Sequence, residues 1–496
     1  MSEAAIHLWP GRPQARISPN LYGHFAEHLG RCVYEGIWVG PSSRVPHVDG
    51  ARLDVIAALK QLRAPVLRWP GGCFANNYHW RQGVGPAEKR PETVNLWWRQ
   101  TEPNAFGTDE FMRFCRAAGA EPYLCCNVGT GSPREALEWL EYCNFGGDSS
   151  LARLRGGRGA APYSVRYWGI GNEAWGCGGR FSSADYAKEY VRFAGHMRAS
   201  DPAIELVACG ASFGNRENEA LNAWNHDFCQ DMRHADLIDH LSIHRYFSRG
   251  GGVLFSDAEY RGVFADLLTL ERDLTLTEAV LRYFYPGKHV GIAVDEWGMR
   301  HPEATVENGL EQACTLRDAV VAGAVLNLLN RWAHRVTMAN IAQMVNVLHC
   351  LAVTRDASLY LTPTYHVFDM TRRHMGASLV THDVDAPSYD AHPVGFGNAR
   401  SVSALSVSAS VSGKRVHLSV ANQTPDRDVE TAIAVHEARL AGVAVRMLHA
   451  GDPRAVNTFD NPKQVVPRRV KVEPVKQELV FAFPRHSFTV FSLTLE

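Results

Sequence analysis

Over most of its length the chain alternates between two hydrophobic rhythms. Short apolar runs, closed by Gly, Pro or polar residues, are separated by longer stretches in which apolar positions recur every three or four residues. The first rhythm predicts buried strands and the second amphipathic helices. Asp49–Leu62 carries the helical spacing through Leu53, Ile56, Ala57, Leu59 and Leu62, and the run Pro65–Trp69 follows it, stopped by Pro70-Gly71-Gly72. The same pairing repeats. Helical patterns near Thr108–Ala118, Pro133–Cys143, Ala184–Ser200, Asn218–Arg233, Glu259–Tyr283 and Val306–Trp332 precede β segments at Glu121–Asn127, Val165–Ile170, Ile204–Cys209, His240–Phe247, His289–Gly298 and Val336–Ile341. With the segment that opens at Leu21, this gives eight β segments separated by helical pattern. That order predicts an α/β fold, a (β/α)8 TIM barrel over residues 19–375. A doubly wound open sheet is the structural competitor, but no Gly-x-Gly stretch sits in the strand-to-helix turn such a sheet uses for phosphate.

Past residue 376 the rhythm changes. Ser401–Val411, Arg415–Ala421, Asp428–Val435, Glu478–Phe483 and Ser487–Leu495 alternate or run apolar, rich in Val, Ser and Thr. This predicts an all-β sandwich, jelly-roll-like, over 376–496. Residues 5–17 read as a short strand pair about a Pro/Gly turn, and residues 1–18 are expected to join the sandwich.

Composition narrows the classes. A net charge of −1 gives no electrostatic case for nucleic acid or an anionic membrane as partner. No run is long enough to span a bilayer, and no basic segment followed by a long apolar stretch opens the chain, which predicts a cytoplasmic protein. There are 11 cysteines, an odd number with no Cys-x-x-Cys pair, which argues against a zinc cage and against a disulfide framework. The 12 Trp and 16 Tyr suit a core, and also a sugar site, where a flat apolar ring faces the pyranose or furanose.

Two β segments end in acid. Val165–Ile170 runs into Gly171-Asn172-Glu173, and the seventh segment runs into Asp295-Glu296-Trp297-Gly298. In a barrel these are strands four and seven, whose carboxyl ends face each other across the mouth. Because adjacent strand residues point to opposite faces, Asp295 and Glu296 are not expected to point inward together. Two carboxyls about 5–5.5 Å apart would perform a double displacement, and a wider gap an inversion. Glu27, Arg68, His244 and Tyr246 fall at other strand ends, where they suit sugar hydroxyls; singly, each is equally a salt bridge or a barrel-filling residue. His24, His28 and His244 do not form a ligand pattern with a carboxylate, so neither metal nor cofactor is expected.

The motifs Gly23–Gly30, Arg68-Trp69-Pro70-Gly71-Gly72, Trp80–Pro86, Trp98 with Glu102–Gly107, Gly171-Asn172-Glu173, His244-Arg245-Tyr246 and Asp295-Glu296-Trp297 occur together and in order. In this the chain resembles glycoside hydrolase family 51, the α-L-arabinofuranosidases whose barrel carries its acids on strands four and seven. The resemblance covers roughly residues 15–370 and extends to the trailing β domain. It implies an exo-acting retaining enzyme on arabinofuranosyl oligosaccharides and a homo-oligomer, often a hexamer. It further implies Glu173 as acid/base and Glu296 as nucleophile, with Asn172 on the hydroxyl beside the anomeric carbon. Glu27, Arg68, His244 and Tyr246 would line the terminal-sugar pocket, Trp98 would stand near its entrance and Trp297 beside the nucleophile. The competing readings are a related barrel hydrolase, such as a galactofuranosidase or endo-glucanase, and a carbohydrate-binding protein without catalysis.

Two positions depart from the family pattern. Many members carry Asn after Arg-x-Pro-Gly-Gly, where this chain has Cys73, a weaker hydrogen-bonding group expected to touch the sugar. Where some members place Gln after the eighth strand, the chain is read as Leu361-Thr362-Pro363, with Thr362 leaving that side of the pocket roomier.

Overall fold

The computed structural model describes residues 3–212, 222–472 and 478–496. Eight parallel strands close a barrel: β1 (Gly23–Phe25), β2 (Val66–Trp69), β3 (Glu121–Cys126), β4 (Tyr167–Ile170), β5 (Glu205–Cys209), β6 (His240–Phe247), β7 (Gly291–Met299) and β8 (Val336–Ile341). Each pairs with its neighbours in sequence, and β8 closes on β1 through Asn340 opposite Gly23. A helix follows each strand: α1 (Leu53–Leu62), α2 (Thr108–Ala118), α3 (Pro133–Asn144), α4 (Ser183–Ser200), α5 (Trp224–Met232), α6 (Leu267–Phe284), α7 (Leu316–Arg331) and α8 (Pro363–Thr371).

The predicted helix boundaries shift for local reasons. The stretch read as Glu259–Tyr283 is two helices, Asp257–Ala265 and α6, meeting at Asp266. The Asp266 carboxylate binds the Arg249 guanidinium there. The first helix starts at a capping box in which Ser256 and Glu259 satisfy each other's backbone donors. The helix expected near Asn218–Arg233 begins, within the described residues, at Trp224. The start of that expectation lies outside the described residues.

The N-terminal stretch is one strand, Ala4–Arg16, rather than a strand pair. It runs antiparallel to Ser378–Asp385 and parallel to Val429–Val435, with irregular register at Trp9 and Pro13. It thus lies inside a nine-stranded sheet built otherwise from residues past 377. That sheet curls onto itself. Phe483 and Phe491 stand on strands far apart in the strand order, yet their ring centroids are 5.9 Å apart across a buried apolar core.

α7 joins barrel and sandwich. Every residue from Leu316 to Asn330 is buried, so the helix is packed on all sides rather than along one stripe. Its polar side chains serve the junction: Asn327 Nδ2 donates to the Ser406 carbonyl, and Ser419 Oγ donates to Asn327 Oδ1. A side chain at Gly323 would begin 2.4 Å from the Phe488 ring, so only glycine permits this approach. Among the described residues, no helix is long and apolar enough to cross a membrane.

Candidate active site

The carboxyl ends of β1, β2, β4, β6, β7 and β8 converge on one polar cluster. β4 reaches it through Gly171 at φ +82°, a left-handed turn that brings Asn172 and Glu173 into the barrel mouth. A Cβ at Gly171 would already press on Val128 at 3.0 Å. Asn76 holds the Asn172 backbone from both sides, accepting from its N–H at 3.2 Å and donating to its carbonyl at 2.9 Å.

β7 departs from the expectation of strict alternation. Ile243 stands opposite Val294, but His244 stands opposite Glu296, so β7 holds one extra residue, Asp295. This β-bulge turns two consecutive acids inward. Both reach Arg68: its Nε lies 3.2 Å from Asp295 Oδ2 and its Nη1 2.8 Å from Glu296 Oε1. Tyr123 donates to the same Asp295 Oδ2 and Asn340 Nδ2 to Oδ1, at 2.8 Å each. The third edge of the same guanidinium donates from Nη2 to Asn172 Oδ1 at 2.6 Å. Arg68 therefore fixes the amide after β4 and the acid of β7 with one rigid fork.

Glu296 is buried, with Oε1 on Arg68 and Oε2 accepting from the Tyr246 hydroxyl at 2.8 Å. Burial alone would raise its pKa. The charges of His244 and Arg68, with the Arg68 and Tyr246 hydrogen bonds, outweigh burial and hold the carboxyl below the ordinary glutamate range. Close approach matters here too, because a Cβ at Gly72 would sit 2.8 Å from Glu296 Oε1.

Glu173 faces Glu296 across the mouth. Its Oε1 lies 2.9 Å from His244 Nδ1, which is 3.7 Å from Glu296 Oε2. One oxygen of each acid and the imidazole nitrogen all lie within 4.8 Å of one another. Burial opposes a charge on His244, but the Glu296 and Glu173 carboxylates overcome it and raise the imidazole pKa. These three side chains have the donor types of a metal site. Here Glu296 is engaged by Arg68 and Tyr246, and Glu173 Oε1 by His244 Nδ1, the pattern of a hydrogen-bonded acid pair.

Glu27 lies beside Glu296: a Cβ at Gly72 would be 2.8 Å from Glu296 Oε1 and 3.4 Å from Glu27 Oε2. Its Oε1 accepts from the Phe74 N–H at 2.9 Å and from Trp98 Nε1 at 3.0 Å. Its Oε2 accepts from Gln343 Nε2 at 3.2 Å. Burial first, and then repulsion from Glu296, push its pKa up to about 7.

The structure thus brings together Glu27, Arg68, Trp98, Asn172, Glu173, His244, Tyr246 and Glu296. It treats three other sequence candidates differently. Cys73 is not a free thiol: it is disulfide-bonded to Cys177, 104 residues away, across the loops after β2 and β4. Spacing could not reveal this pair, since only the barrel brings the two loops side by side. Trp297 is fully buried and stacks on Phe368 of α8, so its ring faces the helix layer rather than the pocket. Thr362 caps α8, its hydroxyl accepting from Tyr365 N–H and donating to the Cys350 carbonyl, and it is not a pocket group. The glutamine sought at that place is Gln343, two residues past β8, in register with the pocket. Asp295, Asn76, Asn340 and Cys177 are the other members that sequence reasoning left out.

Comparison with known proteins agrees with this geometry. Residues 58–248 match the Alpha-L-arabinofuranosidase 1 domain and residues 295–487 the Alpha-L-arabinofuranosidase C-terminal domain. An intracellular exo-alpha-L-arabinofuranosidase of Bacteroides ovatus is 37% identical, over 94% of this chain and 91% of that one. Alpha-L-arabinofuranosidase C of Emericella nidulans is 33% identical, over 98% of this chain and 96% of its own. The crystal structure of the GH51 arabinofuranosidase from Xanthomonas axonopodis pv. citri superposes with a TM-score of 0.92 at 34% identity, covering 100% of both chains. The chain belongs to glycoside hydrolase family 51, the family of α-L-arabinofuranosidases.

Proposed function

We infer that this chain is a retaining exo-α-L-arabinofuranosidase in which Glu296 is the nucleophile and Glu173 the acid/base. The observation that carries the reading is the pair itself: two carboxylates from β4 and β7 with oxygens within 4.8 Å, in unlike surroundings. Such a gap suits direct attack by one acid and leaves no room for the water that inversion needs. In the first step Glu296 attacks the anomeric carbon while Glu173 gives its proton to the departing oxygen. In the second, Glu173 takes a proton from water as that water displaces Glu296. Arg68 and Tyr246 keep Glu296 ionised and aimed. Asn172, its Oδ1 held by Arg68, would offer its Nδ2 to the hydroxyl beside the anomeric carbon. Trp98 and Gln343 both hydrogen-bond Glu27 near the acid pair, and a wall of this kind would suit a pocket for a single terminal sugar, which supports exo action.

The relative named as intracellular supports placement inside the cell, acting on imported arabinofuranosyl oligosaccharides. The family resemblance adds a homo-oligomer of six copies, which sedimentation velocity would test. A panel of nitrophenyl furanosides and pyranosides tests the specificity. The α-L-arabinofuranoside is expected to be the best substrate, and faster turnover of a β-D-glucan or a galactofuranoside would overturn the reading.

A further inference from the structure

The disulfide lies against the acid/base, and its position has a chemical consequence. One Glu173 oxygen, Cys73 Sγ and Cys177 Sγ all lie within 4.8 Å of one another. Glu173 Oε1 is taken by His244, whereas Oε2 is 3.7 Å from Cys177 Sγ. We propose that reduction of Cys73–Cys177 creates a site for a thiophilic divalent cation such as zinc, built from both cysteine sulfurs and Glu173 Oε2, and that filling it switches the enzyme off. Only the inhibitory half rests on the acid/base role given to Glu173 above.

The donor set and its frame fit such an ion. Tetrahedral zinc holds sulfur at about 2.3 Å and oxygen at about 2.0–2.2 Å, so its donors stand roughly 3.5–4 Å apart. Once the S–S bond is gone, the three atoms need move little to reach that spacing. Glu173 and Cys177 sit on one tight turn, closed by Gly176 and Gly178 N–H groups donating to the Glu173 carbonyl at 2.7 and 3.1 Å. Cys73 enters from the loop after β2, its Cα 5.4 Å from that of Cys177. Asn172 Nδ2 lies 3.7 Å from Cys177 Sγ, placed to donate to a thiolate. Three protein ligands leave the fourth position to water. Cys73 and Cys177 are both partly exposed, while the other nine cysteines are buried, so a reductant and a cation meet this pair first.

The chemistry balances with a dithiol as reductant. The S–S bond breaks, the two thiol hydrogens of the reductant pass to Cys73 and Cys177, and the reductant closes its own disulfide. Binding of the cation then releases both cysteine protons to solvent. The metal holds Glu173 as a carboxylate, so it has no proton for a leaving group.

The test compares oxidised protein with protein reduced by dithiothreitol and desalted without air. Native protein should expose no reactive thiol before reduction and two after it. Titration of reduced protein with cobalt(II) should give a near-ultraviolet thiolate-to-metal band that saturates at one ion per chain and is abolished by zinc. Oxidised protein, Cys177→Ser and Cys73→Ser should show no band, and Glu173→Gln should weaken cobalt binding by about tenfold or more. No band in the reduced protein, or the same band in Cys177→Ser, overturns the site. Unchanged cobalt affinity in Glu173→Gln overturns the third ligand. Zinc should also suppress turnover of an arabino-disaccharide by the reduced protein alone, reversibly with a chelator. A metal-binding site that includes Glu173 yet leaves turnover intact would instead count against the acid/base assignment, so the two failures are read separately.

Discussion

The tips of β4 and β7 present the same functional group in opposite surroundings. Glu296 is 8% exposed and ringed by Arg68, Tyr246 and His244. Glu173 is 21% exposed; its one strong partner is His244, with the disulfide at its back. Of the two, only Glu296 has a guanidinium in contact, and that charge, with His244, outweighs burial and holds its carboxyl below the ordinary range. On the proposed assignment, the difference is how one barrel would give two roles to one side-chain type: the acid held by cations would be the nucleophile, and the acid with access to solvent the proton carrier.

The largest effect should come from removing the members of the pair one at a time. Glu296→Ala is expected to lower kcat/KM for every arabinofuranoside by at least about 10^4-fold. Glu173→Ala should cost about 10^2- to 10^4-fold on a disaccharide and far less on the first step of an activated aryl substrate. Added azide sharpens the contrast: Glu173→Ala should yield a glycosyl azide of retained configuration, and Glu296→Ala should not. Equal losses on both substrate classes in Glu173→Ala would erase the distinction between the two tips.

Arg68 carries the asymmetry, so a smaller and more diagnostic effect is expected there. Lysine keeps the charge but cannot reach Asp295, Glu296 and Asn172 together, and Arg68→Lys should lower kcat/KM by about 10- to 100-fold. The sign of the accompanying pH change follows from the depressed pKa of Glu296. Its ionised form persists as pH falls until the folded pKa is reached. Weakening Arg68 raises that pKa, so the acid limb of kcat/KM moves to higher pH. An acid limb that stays in place would mean Arg68 does not set the charge of Glu296.

The smallest effect concerns Glu27, whose pKa is pushed up to about 7. Above that pH it is a carboxylate that, on the proposed assignment, would accept sugar hydroxyls, and below it is increasingly protonated. KM should therefore fall as pH rises through about 7, and in Glu27→Gln that step should vanish from the KM profile.

Much of this was legible in the chain. Strand and helix periods give the barrel, and the acids after Gly171 and Val294 identify its working end. What stayed hidden depends on contacts distant in sequence or on broken local rules. Period-two alternation forbids Asp295 and Glu296 from sharing a face, and only the offset against His244 reveals the bulge. The Cys73–Cys177 bond spans 104 residues that only barrel closure brings together. Thr362 stands beyond a two-stranded hairpin from Gln343, and its hydroxyl caps α8 instead of facing the pocket.

Product stereochemistry tests the central claim most directly. Hydrolysis of a defined α-linked arabino-oligosaccharide, followed by proton NMR from the first turnovers, should show α-L-arabinofuranose appearing first and the β anomer growing only by mutarotation. Initial release of the β anomer would mean that Glu296 never bonds to the sugar, and would contradict the account.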